Sequence, residues 1–144
     1  MKIAIASDHA AYNEKQEIVD YLNNQGLEVI DLGTNSSESV DYPIFGKKVA
    51  QSILEGKVDR GIIICGTGIG ISIAANRYKN IRATLCSSTI HAEMARKHNN
   101  SNILALGGRI TPINELKDIV AVWLSTDFEG GRHQERIDLI DEIK

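Results

Sequence analysis

The sequence predicts an α/β fold, a three-layer αβα sandwich with a five-stranded parallel sheet at its centre. Short runs rich in Ile, Val and Leu alternate with segments of helical periodicity, which is typical of βαβ units. The 144 residues contain no repeat, low-complexity tract or long linker, and this length suffices for one domain with its own core. We therefore expect residues 1–144 to form a single Rossmann-like domain.

Five short apolar runs predict the strands. In chain order they read KIAIAS, LEVIDL, RGIIIC, IRATLC and NILALG, and each is rich in the aliphatic residues that strands favour. The predicted strands are residues 2–7, 27–32, 60–65, 81–86 and 102–107.

Apolar residues at helical spacing occupy the segments between these runs. Phe45, Val49 and Ile53 recur every four residues, and the segment from Ile113 to Trp123 repeats at three and four. Each pattern marks one face of a helix. The predicted helices cover about 11–24, 43–55, 69–77, 88–98, 112–124 and 133–142.

Composition and charge argue against several classes of function. A net charge of −3 gives no general attraction to nucleic acid or to a membrane. No apolar run approaches about 18 residues, and the first strand pattern begins at once without the layout of a signal peptide, so we expect a cytoplasmic protein. Cys65 and Cys86 lack CxxC or Cys/His spacing, which predicts two free thiols and no structural metal.

Polar residues follow the first and third predicted strands. Ligands of open parallel sheets bind outside the carboxyl ends of strands, at the point where the strand order reverses. If the order begins 2-1-3, Asp8 and His9 stand beside Cys65. A site assembled from distant segments and ordinary polar loops both explain this pattern, and the residues alone do not decide between them.

The segment CGTGIG, residues 65–70, joins a strand to a predicted helix. Glycines there permit positive φ and let a ligand approach the N–H groups of a helix N-terminus, so we expect an anion site. The spacing is neither G-x-G-x-x-G nor that of a P-loop. A helix N-terminus also stabilises a thiolate, so Cys65 is either a reactive group or a small buried residue, whereas Cys86 is expected to be inert.

Cationic residues open the last predicted helix. Arg132, His133 and Arg136 lie in its first turn, where the helix dipole disfavours cations. A phosphate held by arginine would compensate, and Arg109 after the fifth strand is another candidate. Neutralisation by Glu135 is the alternative.

His98 closes the predicted helix 88–98 on the face that carries Ile90 and Met94. We expect its ring to turn inward. A histidine in this position is a core residue, a partner of the helix C-terminus or a catalytic group.

The segments SDHAAYNEK, SVDYP, CGTGIGISIAAN, ARKHNNSNILALGGR and FEGGRHQERI together resemble the type B ribose-5-phosphate isomerase family, whose superfamily also holds the galactose-6-phosphate isomerase subunits. The resemblance covers essentially the whole chain. It implies an enzyme that interconverts ribose 5-phosphate and ribulose 5-phosphate through a cis-enediolate, without metal or cofactor. Alanine at positions 10 and 11, where the family usually has a glycine, is a minor departure.

The resemblance also implies roles for particular residues. Cys65 would be the base with Thr67 beside it, and His98 with Asp8 would open the sugar ring. The N–H groups of Gly66, Thr67, Gly68, Ile69 and Gly70 would hold the oxyanion. Substrate contacts would come from Asp8, His9, Tyr42, Asn99, Arg109, Arg132, His133 and Arg136.

By the same resemblance the partners are a small sugar phosphate and further copies of the chain, as a homodimer or a dimer of dimers with shared active sites. Helix 133–142 would pack on the neighbouring subunit, and His98, Asn99, Arg109, Arg132 and Arg136 would reach its site. The alternatives are an isomerase for a six-carbon sugar phosphate, such as allose or galactose 6-phosphate, and a non-catalytic Rossmann-like binding subunit.

Overall fold

The structure, a computed structural model, describes residues 1–143 as a five-stranded parallel sheet with helices on both faces. The strands are β1 Lys2–Ser7, β2 Glu28–Asp31, β3 Arg60–Cys65, β4 Ala83–Leu85 and β5 Ile103–Gly107. The helices are α1 Tyr12–Asn24, α2 Tyr42–Leu54, α3 Ile69–Ala75, α4 Thr89–Asn99, α5 Ile113–Ser125 and α6 Arg132–Asp141, with a 3₁₀ turn at His9–Ala11. The strand order is β2-β1-β3-β5-β4, so the predicted 2-1-3 beginning is confirmed.

Two hydrophobic layers cover the sheet and confirm the predicted αβα sandwich. Alternate strand residues such as Ile5, Ile64 and Leu106 pack against α1, α4 and α5. The residues between them, among them Ile63 and Cys65, pack against α2 and α3 on the other face. The Cys65 side chain therefore continues the buried pattern of its strand.

The edge strand β4 is shorter than predicted. Asn76 takes the place of a neighbouring strand there, since its amide nitrogen donates to Ala83 O at 2.8 Å and its amide oxygen accepts from Ala83 N at 2.7 Å. Asn102 accepts from Arg82 N at 2.7 Å in the same way. Side-chain amides thus satisfy backbone groups that a ladder would otherwise pair.

The predicted inward face of α4 is wrong. Ile90 is 68% exposed and Met94 36% exposed, and the side chain of His98 is 42% exposed. The residues of α4 that turn inward are Ala92, Ala95 and Arg96. A regular apolar face is hidden only if something packs on it, and within residues 1–143 Ile90 and Met94 remain exposed.

Helix α6 packs on α4 of the same chain. Ile137 is buried at 3% exposure, and Arg82 makes an ion pair with Asp141 at 3.2 Å. Leu139 and Ile140 remain exposed, so the prediction that this helix also meets a neighbouring subunit stays a prediction. No helix within residues 1–143 is long and apolar enough to cross a bilayer.

A buried ion pair fixes the loop after β2. The Lys15 side chain is fully buried, and its Nζ lies 2.6 Å from Asp31 Oδ2. The other carboxylate oxygen of Asp31 accepts from Gly33 N at 2.9 Å. Gly33 and Thr34 in turn exchange backbone hydrogen bonds with Ser7, directly before Asp8. The pair therefore supports the end of β1.

We expect Asp31→Asn to lower the free energy of unfolding by about 3 kcal/mol, because it leaves the buried ammonium of Lys15 without a counter-charge. Urea denaturation measures this loss. The double variant Lys15→Met/Asp31→Asn is the control, since it removes both charges and should recover most of the stability. Equal stability of the wild type and the single variant would contradict the role given to the pair.

Candidate active site

The carboxyl ends of β1, β3 and β5 meet at one edge of the sheet. Register pairs Ser7 with Ile64 and Cys65 with Gly107, so the residues that follow these strands are neighbours. Asp8 N–H donates to Ile64 O at 3.1 Å, and Gly108 N–H donates to Cys65 O at 2.9 Å. The expected proximity of Asp8 and Cys65 follows from this register.

The glycine loop wraps the Cys65 thiol. Gly68 N–H donates to Cys65 Sγ at 3.1 Å, and the thiol is only 5% exposed. Gly68 has φ of +79°, and a Cβ there would lie 2.8 Å from the Leu106 backbone, so glycine alone fits. The loop therefore directs one fixed backbone N–H at the sulfur.

Cys86 differs from Cys65 in its surroundings. It is buried at 2% exposure, and burial raises the pKa of its thiol. Its thiol makes a long hydrogen bond to Thr84 Oγ1 at 3.9 Å. The expectation of an inert thiol fits these surroundings.

Asp8 and His9 are held in fixed orientations. Asp8 is 7% exposed, and its carboxylate accepts from Ala10 N at 3.0 Å and so caps the 3₁₀ turn. His9 Nδ1 accepts from Val40 N at 3.1 Å. Because Nδ1 is the acceptor, a neutral His9 carries its proton on Nε2 and can donate with that nitrogen.

Two side chains close over the loop. A Cβ at Gly70 would fall 2.6 Å from the Tyr42 ring, and one at Gly66 would lie 3.4 Å from Arg109 Cδ. Both glycines thus let a large side chain approach. Arg109 N–H also donates to Gly66 O at 2.9 Å. Arg109 therefore stands beside the loop of its own chain, which differs from the expectation that it reaches a neighbouring subunit.

We call this group the loop half-site. Its members are Asp8, His9, Tyr42, Cys65, Gly66, Thr67, Gly68, Ile69, Gly70 and Arg109.

A second polar group surrounds the end of α4. The rings of His98 and His133 stack with centroids 4.5 Å apart and planes inclined by 17°. Glu129 Oε1 lies 3.5 Å from His98 Nε2 and 3.7 Å from His133 Nε2. We call this group the helix half-site, and its predicted members are His98, Asn99, Arg132, His133 and Arg136.

The surroundings of His133 disfavour its protonated form. Its pKa is lowered by partial burial first, then by His98 and Arg132, with Arg136 adding to the effect and Glu129 opposing it. His98 and His133 cannot both take a proton cheaply at this separation. The arginines around them leave the region suited to an anion.

Buried cations hold the end of α4 in place. Arg96 is 5% exposed and donates to Thr126 O at 3.1 Å, Asn100 Oδ1 at 2.8 Å and Ser101 O at 2.6 Å. Burial, with repulsion from Arg60, lowers the pKa of Arg96 to about 10. Arg82 Nε donates to Asn99 O at 3.0 Å. The backbone that carries His98 and Asn99 is thereby tied to the connection between α5 and α6.

Sequence reasoning missed Glu129 and Arg96. Glu129 lies in an irregular segment without periodicity, and only its place within FEGGRHQERI could have drawn attention to it. Arg96 is an arginine on the buried face of α4, where an apolar residue is the ordinary expectation.

The two half-sites lie at opposite edges of the sheet. Cys65 ends β3, whereas α4 runs back past the sheet so that His98 comes shortly before the start of β5 at Ile103. The six-residue strand β3 rises about 16 Å from end to end. The fold therefore does not bring Cys65 and His98 of one chain together.

His98, Glu129 and His133 offer the donor types of a zinc site, and their nearest ligand atoms all lie within 4.8 Å of one another. The nearly parallel rings, however, do not point both nitrogen lone pairs at one position. The neighbouring Arg132 and Arg136 also disfavour a divalent cation.

The sequence profile of the family described as Ribose/Galactose Isomerase matches residues 3–140. The ribose-5-phosphate isomerase B of Escherichia coli is 49% identical over 99% of this chain and 96% of its own length. A solved structure from Clostridium thermocellum, described as ribose-5-phosphate isomerase B, is 55% identical with a TM-score of 0.98 and covers 99% of this chain and 96% of that one.

A further solved structure is that of ribose-5-phosphate isomerase B from Mycoplasma genitalium with bound ribulose-5-phosphate. It is 42% identical, has a TM-score of 0.94 and covers 97% of this chain and 93% of that one. A profile match over nearly the whole chain, together with relatives this similar, shows that the protein belongs to the ribose/galactose isomerase family of enzymes.

Proposed function

We propose that the protein interconverts ribose 5-phosphate and ribulose 5-phosphate, with Cys65 as the general base. The observation that carries this proposal is the Cys65 thiol, buried under a glycine loop that donates Gly68 N–H to its sulfur at 3.1 Å. The names of the relatives and the ribulose-5-phosphate bound to the Mycoplasma genitalium protein support the choice of substrate.

The chemistry needs one base and a set of donors. The thiolate of Cys65 takes the proton from C2 of the open-chain aldose, and the C–H electrons form the C1=C2 double bond while negative charge develops on O1. The thiol returns the proton to C1, and the proton of the C2 hydroxyl moves to O1, which leaves a ketone at C2. Backbone N–H groups fixed where this charge develops contribute about 3 kcal/mol each at most.

Ring opening must come first, since ribose 5-phosphate is mainly a furanose. A general acid delivers a proton to the ring oxygen as its bond to C1 breaks, and a base removes the proton of the C1 hydroxyl. We assign these roles to His98 and Asp8. Within one chain, His98 and Asp8 lie at opposite edges of the sheet. The His98 that acts together with Asp8 must therefore come from a second copy of the chain.

The surface between the two half-sites is suited to such a copy. Around the edge strand β4 lie five exposed apolar residues, which we call the β4-edge patch: Ile69, Ile73, Leu85, Ile90 and Met94. Leu85 packs beside the loop, since a Cβ at Gly68 would meet its Cδ1 at 2.5 Å. Met94 lies one helical turn before His98.

Two copies joined through the β4-edge patch by a two-fold axis would place the loop half-site of each against the helix half-site of the other. The apolar face of α4 would then be buried, which accounts for its regular spacing. A phosphate would lie between Arg109 and His9 of one chain and Arg132 and Arg136 of the second.

A six-carbon sugar phosphate is the second candidate substrate, because the matching family is described by both ribose and galactose. It needs the same base and donors with a longer pocket. We expect kcat/KM to be at least about tenfold higher for ribose 5-phosphate than for allose or galactose 6-phosphate. Steady-state assays of the three sugar phosphates measure these kcat/KM values. A higher value for a six-carbon sugar phosphate would make that sugar the better candidate substrate.

We expect Cys65→Ala to lower kcat for ribose 5-phosphate by about 10²-fold to 10⁴-fold, because no base remains to move the proton. Deuterium exchange from D2O into C1 of ribulose 5-phosphate should fall by the same factor, while the affinity for the sugar phosphate stays near that of the wild type. Cys86→Ala is the matched control and should keep its activity. Unchanged turnover by the Cys65 variant would refute the base assignment and leave a binding subunit as the better description.

We expect His98→Asn to separate ring opening from proton transfer. Ribulose 5-phosphate has its O5 phosphorylated and cannot close a furanose, so C1 exchange in this ketose needs no ring opening. Turnover of ribose 5-phosphate should fall by about 10²-fold, whereas C1 exchange should stay within about threefold of wild type. Equal losses in the two assays would show that His98 does not act on the ring.

A further inference from the structure

Glu129 has no role in the chemistry above, yet its carboxylate is the one acidic group within 4 Å of an imidazole of the helix half-site among residues 1–143. Its backbone N–H donates to Lys97 O at 3.1 Å, which fixes the residue against the last turn of α4. The side chain is 49% exposed, and Oε1 faces both stacked rings.

We infer that Glu129 is a positioning residue for His98, holding the ring in place and favouring its protonated form so that it can act as the acid in ring opening. The inference rests on the proposed function. Glu129 touches neither the sugar nor the base in this account and acts only through His98.

The surroundings of His133 disfavour a proton on that ring. A carboxylate 3.5 Å from His98 Nε2 stabilises an imidazolium there. Partial burial, His98 and the charges of Arg132 and Arg136 lower the pKa of the neighbouring His133, although Glu129 opposes them. The stacked, neutral ring of His133 then forms one wall of the His98 position.

Three further cations on or near α4 have partners of their own. Lys97 on the same helix is paired with Glu93 at the preceding turn, within hydrogen-bonding distance. Arg96 and Arg82 are engaged by backbone carbonyls and by Asp141. Glu129 is therefore the group whose removal changes the charge at His98 with the least disturbance elsewhere.

The proton balance of the step follows from these contacts. Protonated His98 gives its proton to the ring oxygen as the C1–O bond breaks and becomes neutral. Asp8 of the other chain takes the proton of the C1 hydroxyl. Exchange with water restores both groups before the next furanose binds, and the carboxylate of Glu129 favours recharging of His98.

The test is Glu129→Gln, which keeps the size of the side chain and removes its charge. With no carboxylate, His98 loses its proton at lower pH, so the alkaline limb of kcat/KM for ribose 5-phosphate should move down by about half a pH unit, equivalent to about threefold in proton affinity. C1 deuterium exchange into ribulose 5-phosphate should keep its wild-type rate and pH profile, because that assay needs no ring opening.

Two further variants serve as controls for Glu129→Gln. Glu129→Asp restores the charge and should recover most of the wild-type profile. Glu135→Gln makes the same chemical change at an exposed position of α6 that contacts neither histidine within 4 Å, and its profile should match the wild type.

An unmoved alkaline limb in Glu129→Gln would overturn the inference, whether or not overall turnover falls. So would an equal loss in ribose 5-phosphate turnover and C1 exchange, because that result marks a general structural role. Failure of the proposed function is recognised separately, since the wild-type protein would then catalyse neither reaction.

Discussion

The shared direction of the parallel strands decides at which edge of the sheet each functional residue of this protein lies. Every strand ends at one edge of the sheet, and the helices that return to the next strand end at the other. Cys65 closes a strand and His98 occupies the last turn of a helix, so the two are separated by the full height of the sheet. The proposed reaction, which uses both residues, would therefore be assembled from two chains.

The loop around Cys65 shows how packing and chemistry are combined. The thiol belongs to the buried side of β3, and the same burial that stabilises the core excludes water from the sulfur. Gly68 turns the chain in the left-handed region and directs its N–H to Sγ, while Gly70 leaves room for the Tyr42 ring. The loop half-site is thus formed by one chain before any substrate or partner is present.

Much of this arrangement could be predicted from the sequence, because it follows from local patterns. Alternating strand and helix periodicity predicted the sheet, and the order 2-1-3 brought Asp8 beside Cys65. The orientation of His98 could not be predicted, since the apolar spacing of α4 does not say whether its face meets the core or another chain. Glu129 was missed because its position depends on a long-range backbone contact with Lys97, which no periodicity encodes.

Mixing two inactive variants tests the shared site most directly. Cys65→Ala and Arg132→Ala chains, unfolded and refolded together in equal amounts, should recover about one quarter of wild-type activity. Half of the dimers formed at random are mixed, and each of these has one site of two with both half-sites intact. Each variant refolded alone should remain inactive. Mixed dimers that are detected by mass spectrometry yet show no recovered activity would contradict a site built from two chains.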